Sequence, residues 1–165
     1  MTRAYLGLGS NLGDRQQLLS AARDALARMQ GVQVIGCSAL YQTAPVGGPA
    51  GQPPFLNAVL AMESSLSAPE LLSRCQQLES RFGRERGERW GPRTLDIDLL
   101  DFGGELSAEP ELTLPHPRLA ERAFVLVPLA ELDPDWRHPR LGQTAAHLLA
   151  ALTDVGQVQP WPHPW

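Results

Sequence analysis

Short apolar runs with strand character alternate with two stretches of helical periodicity, and the elements follow one another as β-α-β-β-α-β. That order, the amphipathic helical stretches and the lack of any internal repeat or linker predict an α+β fold. The expected architecture is ferredoxin-like: an antiparallel sheet with helices packed on it, plus a C-terminal helical extension. Residues 1–165 are read as a single domain, long enough to bury about two-thirds of its unfolded surface. Its last stretch, residues 156–165, reads as an irregular tail.

Residues 4–9 alternate apolar side chains with small ones and form the first expected strand. Ser10-Asn11-Leu12-Gly13-Asp14 turns the chain into a helix. Its Leu18, Leu19, Ala22, Leu26 and Met29 recur at helical spacing, and Gly31 ends it. Residues 32–41, with β-branched and aromatic content, read as a second strand. Four prolines and three glycines in residues 43–54 make a loop there, because such backbone cannot join a ladder continuously. Strand character returns over residues 55–66. Ser67-Ala68-Pro69-Glu70 then matches a capping box, and the helix after it carries Leu71, Cys75, Leu78 and Phe82 on one stripe. A polar loop over residues 83–92 precedes a strand at 95–102, and Gly103-Gly104 allows a tight turn into a short strand. Residues 123–132 read as a helical segment around Pro128, and residues 144–152 as a last helix. Trp161 and Trp165 either dock on the body or remain on an exposed tail.

Composition narrows the function classes. An apolar fraction of 43% supports a packed core. No run of about 18 apolar residues occurs to span a membrane, and residues 1–6 lack a secretory pattern, so a cytoplasmic location is expected. Cys37 and Cys75 belong to no C-x-x-C pattern and read as buried structural thiols. All 14 basic residues are arginine. The absence of lysine removes Schiff-base chemistry and the P-loop lysine, leaving arginine forks, backbone amides or metal ions for any phosphate site. A net charge of −4 counts against a nucleic-acid partner. A lone domain of this length suggests a monomer.

The residues with most chemical content lie in Arg89-Trp90-Gly91-Pro92-Arg93-Thr94-Leu95-Asp96-Ile97-Asp98. Asp96 and Asp98 are two apart on an expected strand, so both carboxylates share one face while Leu95, Ile97 and Leu99 take the other. Paired carboxylates repel unless a cation bridges them, and hard ions such as magnesium favour oxygen ligands of this kind. Just upstream, Arg84, Arg86, Arg89 and Arg93 crowd one loop. A metal on one side of a polyphosphate and arginines on the other is an arrangement suited to phosphoryl transfer. Gly7-Leu8-Gly9-Ser10-Asn11-Leu12-Gly13 lacks dinucleotide spacing and reads as a tight turn allowing close backbone approach. Phe55 and Asn57 share a strand face beneath the loop carrying Thr43, Ala44 and Val46, and offer stacking and edge pairing to a flat heterocycle. His116 stands between prolines, followed by Arg118, Arg122 and Phe124.

These stretches together resemble the 6-hydroxymethyl-7,8-dihydropterin pyrophosphokinases of folate biosynthesis. The resemblance rests on the Arg89–Asp98 stretch, Gly9-Ser10-Asn11-Leu12-Gly13, Phe55-Leu56-Asn57-Ala58, and Leu114-Pro115-His116-Pro117 through Phe124, and runs over about residues 4–132. It implies attack of a dihydropterin hydroxymethyl oxygen on the β-phosphorus of ATP, with pyrophosphate moving as a unit and AMP leaving. By the same resemblance Asp96 and Asp98 hold a pair of magnesium ions (Mg2+), and Arg84 and Arg93 stabilise charge during transfer. Gln76, Glu79, Arg86, Arg89, Trp90, Ile97, His116, Arg118 and Arg122 serve ATP. Thr43, Ala44, Val46, Asn57 and Trp90 contact the pterin, and Phe55 and Phe124 wall it.

Two other classes deserve weighing. A D-x-D glycosyltransferase would also hold a nucleotide diphosphate through metal, but such enzymes are usually larger and doubly wound. A ferredoxin-like nucleic-acid module would present a basic face and aromatics on its central strands. The acidic balance and paired aspartates point elsewhere.

Overall fold

The computed structural model describes residues 1–44, 51–85 and 95–165, except the side chains of Arg84 and Glu85. In chain order these form β1 (Thr2–Ser10), α1 (Arg15–Ala27), β2 (Val32–Cys37), β3 (Tyr41–Thr43), β4 (Phe55–Ser64), α2 (Ala68–Glu85) and β5 (Asp96–Phe102). After these come β6 (Ser107–Glu109), β7 (Leu112–Leu114), a 3-10 turn (Leu119–Glu121), α3 (Ala123–Leu132), α4 (Ala145–Ala150) and β8 (Val158–Pro160). The main sheet runs β5-β1-β4-β3-β8, with β2 also on β4, and every pairing in it is antiparallel. β6 and β7 make a separate two-stranded ribbon.

Local chemistry sets the helix starts. Asp14 accepts from the Gln17 N–H at 3.1 Å and caps α1. Ser67 and Glu70 form the capping box of α2: the Ser67 hydroxyl accepts from the Glu70 N–H at 3.3 Å, and Glu70 reaches back to the Ser67 N–H at 3.4 Å. Thr144 caps α4 through the His147 N–H.

Two apolar layers cover the two faces of the sheet. On one, Leu19, Ala22 and Leu26 of α1 and Leu71, Cys75 and Leu78 of α2 pack on Leu6, Leu60, Ile97 and Leu99. On the other, Val125, Leu126 and Leu129 of α3 and Leu148 of α4 pack on Tyr5, Val59, Ala61 and Leu100. Burying a side chain of this size is worth roughly 1.5–3 kcal/mol. A bulge opposite Tyr5 and Leu6 shifts the β5 register, which lets both Leu100 and Asp101 face the second layer.

Asp101 is buried there. Its Oδ2 accepts from Trp136 Nε1 at 3.2 Å and from the Gly104 N–H at 3.4 Å, while Oδ1 is buried without a partner among the described residues. Burial pushes its pKa above the ordinary carboxyl value, partly offset by the Trp136 hydrogen bond. The folded chain therefore holds this proton to higher pH than the unfolded chain does. Asp101 disfavours folding progressively as the pH rises from the ordinary carboxyl range through its own titration. Asp101→Asn should flatten that slope and leave stability at neutral pH equal or higher, as read by urea unfolding at several pH values.

Several expectations are corrected. The second strand does not run through residues 32–41. It stops at Cys37, because the Ser38 hydroxyl accepts from the Val59 N–H at 2.9 Å where a backbone carbonyl would otherwise act. One extra residue accumulates between Cys37↔Leu60 and Tyr41↔Asn57, and β3 begins anew. Cys37 is exposed rather than buried, since the outward phase of β2 carries it. Cys75 is buried, its thiol pushed up to about 12 chiefly by burial. The last helix covers Ala145–Ala150, shorter than residues 144–152. The tail is not irregular throughout, because Val158–Pro160 pairs with β3. No helix among the described residues is long and apolar enough to cross a membrane.

Candidate active site

The sheet lines up the site through its register. Asp96 sits opposite Gly9, Gly9 opposite Asn57, and Asn57 opposite Tyr41, while Asp98 faces Gly7 and Gly7 faces Val59. Directly paired residues project from the same face of a sheet. The carboxylates and the asparagine amide therefore rise from one surface, with two glycines between them. Without side chains, Gly7 and Gly9 leave an open floor. That floor is required: a Cβ on Gly9 would meet Asn57 Oδ1 at 2.9 Å. Strand spacing of about 4.8 Å puts the Asp96 and Asn57 backbones roughly 10 Å apart.

Above this floor lies a cleft of about 770 Å³. Among the expected residues, Thr43, Ala44, Phe55, Asn57, Asp96, Asp98, Arg118, Arg122 and Phe124 all line it. Asn57 is 7% exposed, and its Nδ2 donates to Thr43 Oγ1 at 3.1 Å, which fixes the amide and leaves Oδ1 toward the floor. Phe124 opens α3, with the Arg122 guanidinium 5.4 Å from its ring centroid. Pro128 lies inside α3 and has no N–H to give the Phe124 carbonyl four residues back.

Other expected residues stand apart from the cleft lining. His116 donates its backbone N–H to the Leu100 carbonyl at 2.8 Å, and its Nδ1 accepts from the Arg118 N–H at 3.3 Å. Its pKa is lowered, first by burial and further by Arg122 and Arg118, against an opposing pull from Asp98. His116 thus stands beside the Asp98 end. Gln76 and Glu79 lie on α2, which covers the opposite face of the sheet. The Ile97 side chain is 4% exposed within that same opposite layer, so alternation directs it away from the carboxylates. Val46, Arg86, Arg89, Trp90 and Arg93 lie outside the described residues, as does the Arg84 side chain at the end of α2.

The sequence reading missed one wall. Glu121, Leu152, Thr153, Asp154, Gln157 and Val158 also line the cleft. Most of these come from the C-terminal segment, whose place depends on tertiary pairing and which carries no motif of its own.

Asp96 and Asp98, on alternate positions of one strand face, fit a hard divalent cation. Among the described residues no group of three or more metal-ligating side chains occurs. The remaining ligands of such an ion would be water and phosphate oxygens, as is usual for magnesium bound with a nucleotide.

Residues 5–134 match the family described as 7,8-dihydro-6-hydroxymethylpterin-pyrophosphokinase. The chain belongs to this family. It is 46% identical over 156 residues to the 2-amino-4-hydroxy-6-hydroxymethyldihydropteridine pyrophosphokinase of Methylorubrum extorquens, covering 94% of this chain and 97% of that one. The enzyme of the same description from Synechocystis sp. is 44% identical over 159 residues, with 95% and 80% covered. A crystal structure of wild-type Plasmodium falciparum HPPK-DHPS is similar in fold, with a TM-score of 0.69 at 15% identity. That similarity covers 90% of this chain and 44% of the Plasmodium chain. Pyrophosphokinases of this family transfer pyrophosphate from ATP to hydroxymethyldihydropterin in folate biosynthesis.

Proposed function

We propose that the glycine-floored cleft carries out this family reaction, with the triphosphate at the β5 end and the pterin at the β4–β3 end. The observation that carries the reading is the row Asp96, Gly9, Asn57 across three neighbouring strands. It pairs a cation-holding group with a heterocycle-reading group over open backbone, at a separation suited to a phosphate chain meeting a flat ring.

In this reading the hydroxymethyl oxygen attacks the β-phosphorus, the bond to the α,β-bridging oxygen breaks, AMP leaves, and the hydroxyl proton passes to solvent. Asp96 and Asp98 hold a pair of magnesium ions, which when bound supply Lewis-acid neutralisation of triphosphate charge. Arg118 and Arg122 approach the nucleotide from the cleft wall, with His116 beside them. Arg84 and Arg93 offset charge during transfer, and a transition-state arginine of this kind is worth roughly 10³–10⁵ in rate. Arg86, Arg89 and Trp90 close over ATP, and Trp90 and Val46 also meet the pterin. For these loop residues the sequence resemblance is the support. β5 is a border strand of the described sheet, so a nucleotide running outward past it reaches Gln76 and Glu79 on α2 and the Ile97 backbone. Phe55 and Phe124 stack on the ring, Asn57 Oδ1 accepts from its edge, and Thr43 and Ala44 add contacts.

The β5-β1-β4-β2 pairing order supports a ferredoxin-like description of the sheet, with α3 and α4 as a C-terminal helical extension. A single domain working as a monomer belongs to the same proposal.

The test is incubation with ATP, magnesium and 6-hydroxymethyl-7,8-dihydropterin, followed by nucleotide separation. AMP formed only when pterin is present supports the reading; ADP, or AMP independent of pterin, overturns it. Gly9→Val gives a sharper expectation. Its side chain displaces the Asn57 amide, so pterin KM should rise about 10- to 100-fold with a much smaller change for ATP, as steady-state kinetics would show.

A further inference from the structure

Arg15 is the first residue of α1, a place where helix chemistry favours a carboxylate over a cation. The macrodipole is positive there, so a guanidinium is locally unfavourable. Its partners lie outside the helix. A single nitrogen, Nη1, donates to the Pro54 carbonyl at 2.7 Å and to Gln42 Oε1 at 3.2 Å. We propose that Arg15 is a positioning residue for the pterin end of the cleft. Acting from the helix side of the sheet, it ties β3 to the start of β4 and so sets the spacing of the ring contacts in front. The proposal rests on the reading of the cleft given above.

The two acceptors are placed for this task. Gln42 precedes Thr43 in β3, and Pro54 precedes Phe55, the first residue of β4. The β3–β4 ladder has three pairs, Tyr41↔Asn57, Gln42↔Leu56 and Thr43↔Phe55. The end of so short a ladder opens easily, and Arg15 bridges that end. Gln42 pairs with Leu56, whose side chain lies in the α1–α2 layer, so the Gln42 amide meets Arg15 behind the sheet. The next pair, Thr43 and Phe55, lines the cleft. Both are ring contacts in the reading above, and Thr43 also orients Asn57. A cross-link behind the sheet thus fixes their separation without touching the ligand.

The guanidinium is itself held. The Arg15 N–H donates to the Gly13 carbonyl at 3.0 Å, and Asp14 caps the helix beside it, which fixes the root of the side chain. The Trp161 ring centroid lies 5.1 Å from the guanidinium carbon. The Trp161 N–H donates to the Leu40 carbonyl at 2.9 Å, and its Nε1 to Gln16 Oε1 at 2.8 Å. Further along, Trp165 Nε1 donates to the Ser38 carbonyl at 2.8 Å, and Arg23 sits 4.8 Å from that ring centroid. The chain end therefore docks on α1, and Trp161 covers the guanidinium that serves β3.

The experiment compares the parent chain with Arg15→Ala and Arg15→Lys, each checked for folding by circular dichroism. Arg23→Ala is the control, because Arg23 stacks on an indole from the same helix. Pterin KM at saturating ATP should rise roughly five- to tenfold in Arg15→Ala, since apparent affinity falls with the fraction of molecules holding the competent spacing. In the same variant kcat, and ATP affinity by calorimetry, should stay within about twofold of the parent. Arg15→Lys keeps a cationic donor and should recover part of the pterin loss. Amide exchange over residues 41–43 and 55–57 should accelerate in Arg15→Ala and not in Arg23→Ala, a readout independent of turnover. An unchanged pterin KM in Arg15→Ala, an equal loss of ATP affinity, or the same pterin rise in Arg23→Ala overturns the proposal. If the parent chain forms no pterin-dependent AMP, the reading of the cleft itself fails, while exchange still reports whether Arg15 ties β3 to β4.

Discussion

Asp98→Ala should abolish turnover while leaving the fold intact. Asp98 is exposed on the cleft side of β5, and its partner across β1 is Gly7, so no side chain packs against it from that strand. The Ile97 and Leu99 side chains that anchor the strand lie in the other layer. On the proposed reading, removing the carboxylate takes away a cation ligand, a contribution of several kcal/mol to transition-state charge stabilisation. A loss of about 4 kcal/mol corresponds to roughly a 10³-fold fall in kcat. The check is kcat measured across a magnesium titration beside a far-ultraviolet circular dichroism spectrum. Activity retained within tenfold would remove the metal role from this residue.

Asn57→Leu should have the second-largest effect, and on the other substrate. The side chain is buried and its volume is nearly conserved, so packing changes little. Two polar functions disappear, however: the donor to Thr43 and the Oδ1 acceptor facing the glycine floor. Pterin affinity should fall roughly 10- to 100-fold by calorimetry, with nucleotide affinity within about twofold of the parent. Stability should drop by about 1–2 kcal/mol, because the Thr43 hydroxyl loses a buried partner. Equal losses for both ligands would show that Asn57 shapes the whole cleft and is no pterin reader.

The contrast between these variants reflects how the fold carries information. Strand alternation told from sequence that Asp96 and Asp98 share a face, and helical spacing picked out Leu71, Cys75, Leu78 and Phe82, all buried. The Ser67–Glu70 capping box was equally legible, because its hydrogen bonds are local. The β5 bulge was not. It arises from pairing with β1, and it turns Asp101, which strict alternation would put with the α1–α2 layer, toward Trp136. The break at Ser38 follows from a side chain taking a backbone partner on β4, a contact with a residue 21 positions away. β8 was read as tail because three residues ending in proline have little strand propensity of their own. It forms through pairing with β3 and the docking of two indoles on α1. The cleft wall of Asp154 and Gln157 was missed for the same reason.

The proposed arrangement puts cation and pterin on one floor, two strands apart. It is tested most directly by replacing magnesium with manganese, adding a non-transferable ATP analogue and the pterin, and measuring paramagnetic relaxation of the pterin methylene protons. Strand spacing places the Asp96 and Asn57 backbones about 10 Å apart, so the methylene group reaching back toward the triphosphate should lie within about 10 Å of the ion. Strong relaxation that vanishes in Asp96→Ala/Asp98→Ala is the predicted result. Relaxation no greater than that produced by free manganese, or unchanged in that variant, would contradict the account.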